Sequence, residues 1–178
     1  MASEYTFIHS PPLDPPWSSM MPVVLGEQNA KGLYILVEKN GQPWGVFALG
    51  SGNRGECWFG VDAICWDGMI VIGFAERIYV VNPCGVFVNS IDLDEYFCAF
   101  AHSRDWLLVA TGACVLRIGQ NGQILWQSRR LAIDGIVIEG VEDGRISGAG
   151  EWDPPGGWRE FSLTLADGTQ RTKDNSAG

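Results

Sequence analysis

The chain has 178 residues, of which 46% are hydrophobic and 19% charged, and its formal net charge is −9. A domain commonly holds roughly 100 to 200 residues, so we expect one domain spanning residues 1–178. Phosphate binding needs clustered Lys and Arg, and this acidic composition therefore excludes nucleic acid and anionic membrane surfaces as expected partners. The sequence shows no signal-peptide pattern, and its five cysteines form no CxxC pair, which is typical of a cytoplasmic protein.

In chain order, the sequence predicts a lone strand at residues 4–9 and then four units of short strands. The units cover approximately residues 20–56, 57–93, 94–131 and 132–171. Because exposed strand edges invite unwanted pairing, we expect the strand at residues 4–9 to pair with the last unit and close the array.

The two middle units are repeats of each other. "MIVIGFAERIYVVNPCGVFVNS" from Met69 aligns without a gap with "WLLVATGACVLRIGQNGQILWQS" from Trp106. An earlier copy from residue 33 matches the second half of the unit, with Asn40-Gly41 standing where Asn121-Gly122 stands later. A fourth copy, "FSLTLADGTQ", has Asp167-Gly168 at the same turn. A fixed period of this kind predicts a repeat architecture.

Each full unit reads as four short strands joined by tight turns, which is an antiparallel meander. The strands "MIVIGF" and "WLLVAT" are apolar on both faces, so we expect each sheet to be covered on both sides by its neighbours. The fold predicted is an all-β, propeller-like array of about four antiparallel β-meander units. A two-sheet β-sandwich or an irregular barrel is the alternative.

The third unit resembles the repeats of quinoprotein-type and WD-repeat β-propellers. The resemblance is carried by the turn and the strand after it, which are Asn121, Gly122, Ile124, Leu125 and Trp126. Quinoprotein enzymes have many more units than four, so the resemblance implies the architecture alone, and we expect no cofactor.

The sequence offers no set of residues that predicts catalysis or metal binding. Its two histidines, His9 and His102, lie in different units, and a metal site needs several ligands at one point. "HSRD" at residues 102–105 places its side chains in one turn, where a nucleophile, base and orienting acid cannot align. The carboxylates near strand ends are interpreted as solvated turn residues: Asp92, Asp94, Glu95, Glu139, Glu142 and Asp143.

Two loops share the sequence Asp-Pro-Pro beside tryptophan. They are "LDPPWSS" at residues 13–19 and "GEWDPPGGWREF" at residues 150–161. Relative to the third unit, the last unit has about nine extra residues, and these fall between Ser147 and Arg159. Proline restricts its own φ and the residue before it, so both loops should be rigid. The tryptophans either plug the end of a central channel or form a recognition surface. The candidate binding residues are Asp14, Trp17, Glu151, Trp152, Asp153, Trp158 and Arg159.

These features favour a non-enzymatic binding or scaffolding protein whose loops recognise another protein, a basic one. The stretch "WDPPGGW" also resembles small bacterial proteins, which implies a bacterial cytoplasm and no particular activity, and an acidic immunity-type inhibitor fits the description. The alternative is a binding or hydrolytic site for a small ligand such as a sugar. There Trp152 or Trp158 would stack on the ligand, and Asp153 or Glu151 would hydrogen-bond it. The protein is expected to be a monomer or a homodimer.

Overall fold

The computed structural model describes residues 4–10, 16–26, 33–50, 60–82 and 84–171. These residues form short strands joined by tight turns, together with a single turn of 3-10 helix at Trp17–Ser19. No helix within these ranges is long and apolar enough to cross a membrane.

The described residues form fifteen strands. In chain order they are β1 (Tyr5–Ser10), β2 (Val23–Gly26), β3 (Leu33–Lys39), β4 (Gln42–Gly50), β5 (Val61–Trp66), β6 (Met69–Phe74), β7 (Arg77–Val81), β8 (Phe87–Asp92), β9 (Phe97–Ser103), β10 (Trp106–Thr111), β11 (Val115–Ile118), β12 (Ile124–Gln127), β13 (Ile136–Glu142), β14 (Arg145–Glu151) and β15 (Trp158–Thr164).

The strands form four sheets. The first has the order β1-β3-β4-β2, in which β2 runs parallel to β4 and the other pairs are antiparallel. The second and third are antiparallel meanders of β5 to β8 and β9 to β12, and the fourth contains β13, β14 and β15. Strands β6 and β10 begin at Met69 and Trp106, the two residues that the sequence repeat aligns.

Three apolar clusters hold consecutive sheets together. Phe47 and Ile72 belong to a cluster between the first and second sheets. Val71 and Val109 belong to the next cluster, and Leu108 and Ile146 belong to the cluster that joins the third sheet to the fourth. The middle strands are apolar on both faces because each face contacts a different neighbour. The prediction of an all-β, propeller-like array is therefore confirmed.

The strand nearest the N-terminus does not close the array, contrary to the expectation for residues 4–9. Its residues pair with β3 of the first sheet, from Tyr5↔Lys39 to Ser10↔Tyr34. Tyr5 and Phe7 pack against the cluster between the first two sheets, and this apolar contact explains the position of β1. The turn at residues 40–41 joins β3 and β4, the second and third strands across the first sheet. The turn at residues 119–122 joins β11 and β12, the third and fourth strands across the third sheet. The two turns that the sequence aligned therefore occupy different positions in their sheets.

The two ends of the array are chemically different. Trp17 is 8% exposed and packs with Leu36 and Val46 on the outer face of the first sheet. On the outer face of the last sheet, Arg145 Nε donates a hydrogen bond to Ser162 Oγ at 2.6 Å. Among the residues that the structure describes, no buried apolar cluster joins the first sheet to the last.

Phe97 packs where the second and third sheets meet, and its replacement by alanine should destabilise the protein. The side chain is fully buried, and a Cβ at Gly73 would lie 2.5 Å from its ring. We expect Phe97→Ala to lower the free energy of unfolding by about 3–5 kcal/mol, measured by urea denaturation with tryptophan fluorescence. Phe87→Ala, at a side chain that is 46% exposed, is the control and should change it by about 0.5 kcal/mol or less. Equal losses in the two variants would contradict the packing described.

Candidate functional site

The candidate site is the hairpin between β14 and β15. Residues 152–157 connect the two strands, whereas the corresponding connection in the second sheet is Ala75–Glu76 and in the third is residues 112–114. The insertion recognised in the sequence therefore lies in this connection, and it brings Glu151, Trp152, Asp153, Trp158 and Arg159 together in one hairpin.

Hydrogen bonds inside the hairpin give it a defined shape. The Trp152 amide donates to the Gly157 carbonyl at 2.9 Å, and the Gly157 amide donates to the Asp153 carbonyl at 3.0 Å. The Glu151 carboxylate accepts the Gly156 amide at 2.6 Å, so it closes the loop from the side. A Cβ at Gly157 would lie 2.5 Å from the Asp153 Cβ, and only glycine fits there without a shift.

The aromatic and charged side chains of the hairpin lie on two sides of the sheet. The Arg159 guanidinium lies 5.1 Å from the centre of the Trp152 ring, a cation–π contact. Trp158 comes one residue before Arg159, so its side chain points to the opposite face. It is 46% exposed. Trp158 is thus the aromatic group of the hairpin that is most available to a partner.

The segment before β13 is hydrogen-bonded to the base of the hairpin. The Ile133 amide donates to the Glu151 carbonyl at 2.7 Å, and the Glu151 amide donates to the Gly135 carbonyl at 3.0 Å. The Gly135 amide in turn donates to the Gly112 carbonyl at 2.8 Å in the third sheet. Backbone groups of adjacent sheets therefore hold the base of the hairpin in place.

Tyr96 and Asp134 belong to the same region, and the sequence analysis did not select them. The Tyr96 hydroxyl donates to Asp134 Oδ1 at 2.8 Å. Loss of solvation raises the pKa of Tyr96, and the hydrogen bond to Asp134 raises it further. Tyr96 lies one residue before β9 and Asp134 two residues before β13, outside the aligned repeats, so no signal in the sequence identified this pair.

The remaining candidates do not join the hairpin. Trp17 packs on the first sheet, whereas the hairpin belongs to the last. Asp14 lies outside the described residues.

Two of the carboxylates interpreted as solvated turn residues also form ion pairs. Asp92 Oδ1 lies 2.6 Å from Arg77 Nε, and Glu95 Oε1 lies 2.8 Å from Arg130 Nη2. Both pairs are partly or largely exposed, and such pairs contribute little to stability. Each carboxylate is paired with an arginine, which makes Asp92 and Glu95 poor candidates for acid or base roles.

Around the hairpin, the outer face of the last sheet carries apolar and acidic side chains. Ile133, Val137 and Trp158 are 51%, 49% and 46% exposed. Val137 pairs with Ala149, which pairs with Glu160, while Glu151 pairs with Trp158. We call Ile133, Val137, Glu151, Trp158 and Glu160 the hairpin surface.

A cleft of about 490 Å³ lies elsewhere, beside the turn between β11 and β12. Trp66, Asp105, Asn121 and Leu125 are among its lining residues, and none of the candidate site residues lines it. The Trp66 indole N–H is already donated to the Ser103 carbonyl at 2.8 Å. Within the described ranges, no group of three or more His, Cys, Asp or Glu side chains could hold a metal ion.

Comparisons with known proteins give the architecture. No protein-family model matches the chain, and no curated protein matches it. The WD40 domain of Pan2 from Neurospora crassa is similar with 11% identity and a TM-score of 0.53, over 78% of this chain and 45% of that one. A protein of unknown function from Bacteroides caccae is similar with 15% identity and a TM-score of 0.52, over 78% of this chain and 58% of that one. The chain thus spans about half the length of these structures, and at such identities the likeness shows the fold alone.

The raised pKa of Tyr96 predicts a dependence of stability on alkaline pH. The phenol ionises more readily in the unfolded chain, so its contribution is complete below the usual tyrosine pKa of about 10 and is lost as the pH rises above that value. Tyr96→Phe should weaken the decline in unfolding free energy above that pH, measured by urea denaturation at a series of pH values. Tyr34→Phe is the control. An unchanged decline in Tyr96→Phe would show that other groups cause it.

Proposed function

We propose that the protein is a non-enzymatic binding or scaffolding module that holds another protein on its hairpin surface. The observation that carries this proposal is the exposure of Trp158 and Val137 on the outer face of the last sheet, with exposed Ile133 in the segment whose amide donates to Glu151, the residue that pairs with Trp158. Exposed tryptophan is among the residues that most often contribute strongly to protein–protein binding. A WD40 domain among the structural neighbours supports an interaction role of this general kind.

The hydrogen bonds within the hairpin favour binding because the loop is already ordered before it meets a partner. Glu151 and the amides of Trp152 and Gly157 already hold the loop in one conformation. A surface that is rigid before it meets its partner loses little conformational entropy on binding. The insertion thus creates a preformed surface rather than a loop that must fold onto its partner.

The charge distribution favours a basic partner. The chain has a net charge of −9, and Glu160 is exposed on the same face as Trp158. Opposite charges speed the encounter of two proteins, and they matter most for specificity and association rate. We propose a small acidic protein of the bacterial cytoplasm, of which an inhibitor of the immunity type is one form.

A small-ligand site at the hairpin, such as one for a sugar, has less support. The Arg159 guanidinium already lies over one face of the Trp152 ring, which leaves at most the other face for stacking on a ligand. A hydrogen-bonding role for Glu151 would compete with its bond to the Gly156 amide. Only Trp158 and Asp153 remain exposed for such a ligand.

Removal of the Trp158 ring tests the proposed function. We expect Trp158→Ala to weaken partner binding by about 30-fold or more, the effect expected for an interface anchor contributing about 2 kcal/mol. Tagged wild-type and variant proteins would be used to capture partners, and affinities would then be measured with the purified partner over a range of salt concentrations. Added salt should weaken binding because it screens charge attraction.

Ile124→Ala is the matched control, since Ile124 is a comparably exposed apolar residue on the third sheet. Its affinity should equal that of the wild type. Equal affinity in Trp158→Ala would contradict the proposal. A change in melting temperature with one member of a sugar panel, lost in Trp158→Ala, would favour the ligand site instead.

A further inference from the structure

The fourth sheet contains three strands in the part of the chain that the structure describes, whereas each of the other sheets contains four. In the second and third sheets, the fourth strand is β8 or β12. It pairs with β7 or β11, the strand that precedes it in the chain. A corresponding strand in the last sheet would follow β15 in the chain and lie along its outer edge.

The chain turns back after β15 and begins such a pairing. Gln170 forms an antiparallel bridge with Leu163. At the next position, the Arg171 amide donates a hydrogen bond to the Ser162 carbonyl at 2.8 Å. The two contacts have the same antiparallel register, and they set the direction in which the chain continues from its last described residue, Arg171.

We propose that residues 172–175 continue this register and complete the fourth sheet as a strand along the outer edge of β15. The segment reads "TKDN". Together with Gln170 and Arg171 it makes a strand of the same length as β8, which has six residues. The continued register gives four further pairs: Thr172 with Phe161, Lys173 with Glu160, Asp174 with Arg159 and Asn175 with Trp158.

Charge supports both the occupant and its register. Lys173 lies opposite Glu160 and Asp174 lies opposite Arg159, and opposite charges that face each other across two strands stabilise the pair. A slip of one residue in one direction would place Lys173 opposite Arg159. A slip in the other direction would place Asp174 opposite Glu160. Both slips bring like charges together, so only the register that the bridge already sets is favourable.

Covalent attachment distinguishes this segment from a strand of another molecule. Residues 172–175 follow directly from Arg171, which is already hydrogen-bonded to β15. A tethered segment has a high effective concentration beside its site, and a second molecule would have to displace it.

The added strand changes what the hairpin surface presents to a partner. Side chains directly opposite each other in antiparallel strands lie on the same face, so Lys173 joins Glu160 and Trp158 on the outer face. The edge of β15 is filled by the chain itself, and a partner therefore contacts the face of the sheet instead of adding a strand to it. This consequence rests on the proposed function, whereas the strand itself does not.

Nuclear Overhauser effects in the full chain test the strand directly, without any partner. Arg171 and Ser162 form a hydrogen-bonded pair, so the pairs on either side are non-hydrogen-bonded, with Cα atoms about 4.5 Å apart. We expect contacts between the α-protons of Thr172 and Phe161. The α-protons of Asp174 and Arg159 should give the same signal.

The pair of Leu163 with Gln170 is the control in the same spectrum, since it is a described pair of the same kind. Presence of the control contact without those of Thr172 and Asp174 would overturn the proposal. A contact between the α-protons of Lys173 and Arg159 would also overturn it, because the register would then have slipped.

Reversal of one charge tests the pairing that sets the register. The Glu160 amide faces the same edge as the Ser162 carbonyl, two residues further along the strand. In Lys173→Glu, this amide should exchange with solvent about fivefold faster or more, since one cross-strand charge pair is lost and replaced by repulsion. The double variant Lys173→Glu with Glu160→Lys should regain the exchange rate of the wild type.

Ser176→Glu is the control variant, because it adds a negative charge just beyond the proposed strand. Its Glu160 amide should exchange as in the wild type. An unchanged rate in Lys173→Glu, or a double variant that remains as fast as Lys173→Glu, would contradict the proposed pairing. These measurements need no partner, so their failure is distinguishable from failure of the proposed function, which Trp158→Ala tests with the partner present.

Discussion

Burial of both faces of the middle strands is the constraint on which the rest of the structure depends. In the third sheet, Leu107 and Val109 pack toward the second sheet, while Leu108 and Ala110 pack toward the fourth. A strand of this composition cannot have one face in water without exposing several large apolar side chains. Each sheet therefore requires a neighbour on each side, and stacked sheets satisfy that requirement with local connections.

The same constraint explains what could be predicted from the sequence. Apolar runs of four to six residues separated by Asp-Gly or Asn-Gly predict the strands and turns of the second and third sheets, because packing and turn conformation both favour that pattern. The 37-residue repeat then places β6 with β10 and β7 with β11. Here local preference and long-range packing agree.

The first sheet could not be predicted in the same way because its strands do not follow chain order. β2 precedes β3 in the chain but pairs in parallel with β4. β1 takes the position in the first sheet that β5 and β9 take in the next two sheets. In the chain, however, β1 is separated from its partner β3 by residues 11–32. Strand patterns show which face is apolar, but they do not show which edge a distant strand will join. At the hairpin, the sequence identified the enlarged connection, but the contact of Arg159 with Trp152 and the hydrogen bond of Tyr96 to Asp134 depend on three-dimensional packing.

The unlike ends of the array have a consequence for assembly. Stacked repeats can grow without limit when the last face of one molecule fits the first face of the next, and the product is then a filament. Here Trp17 packs over Leu36 and Val46 on the outer face of the first sheet, while the outer face of the last sheet mixes the Arg145–Ser162 hydrogen bond with exposed apolar and acidic side chains. Neither face reproduces the apolar contact between two neighbouring sheets. The two end faces therefore disfavour end-to-end stacking of molecules into a filament.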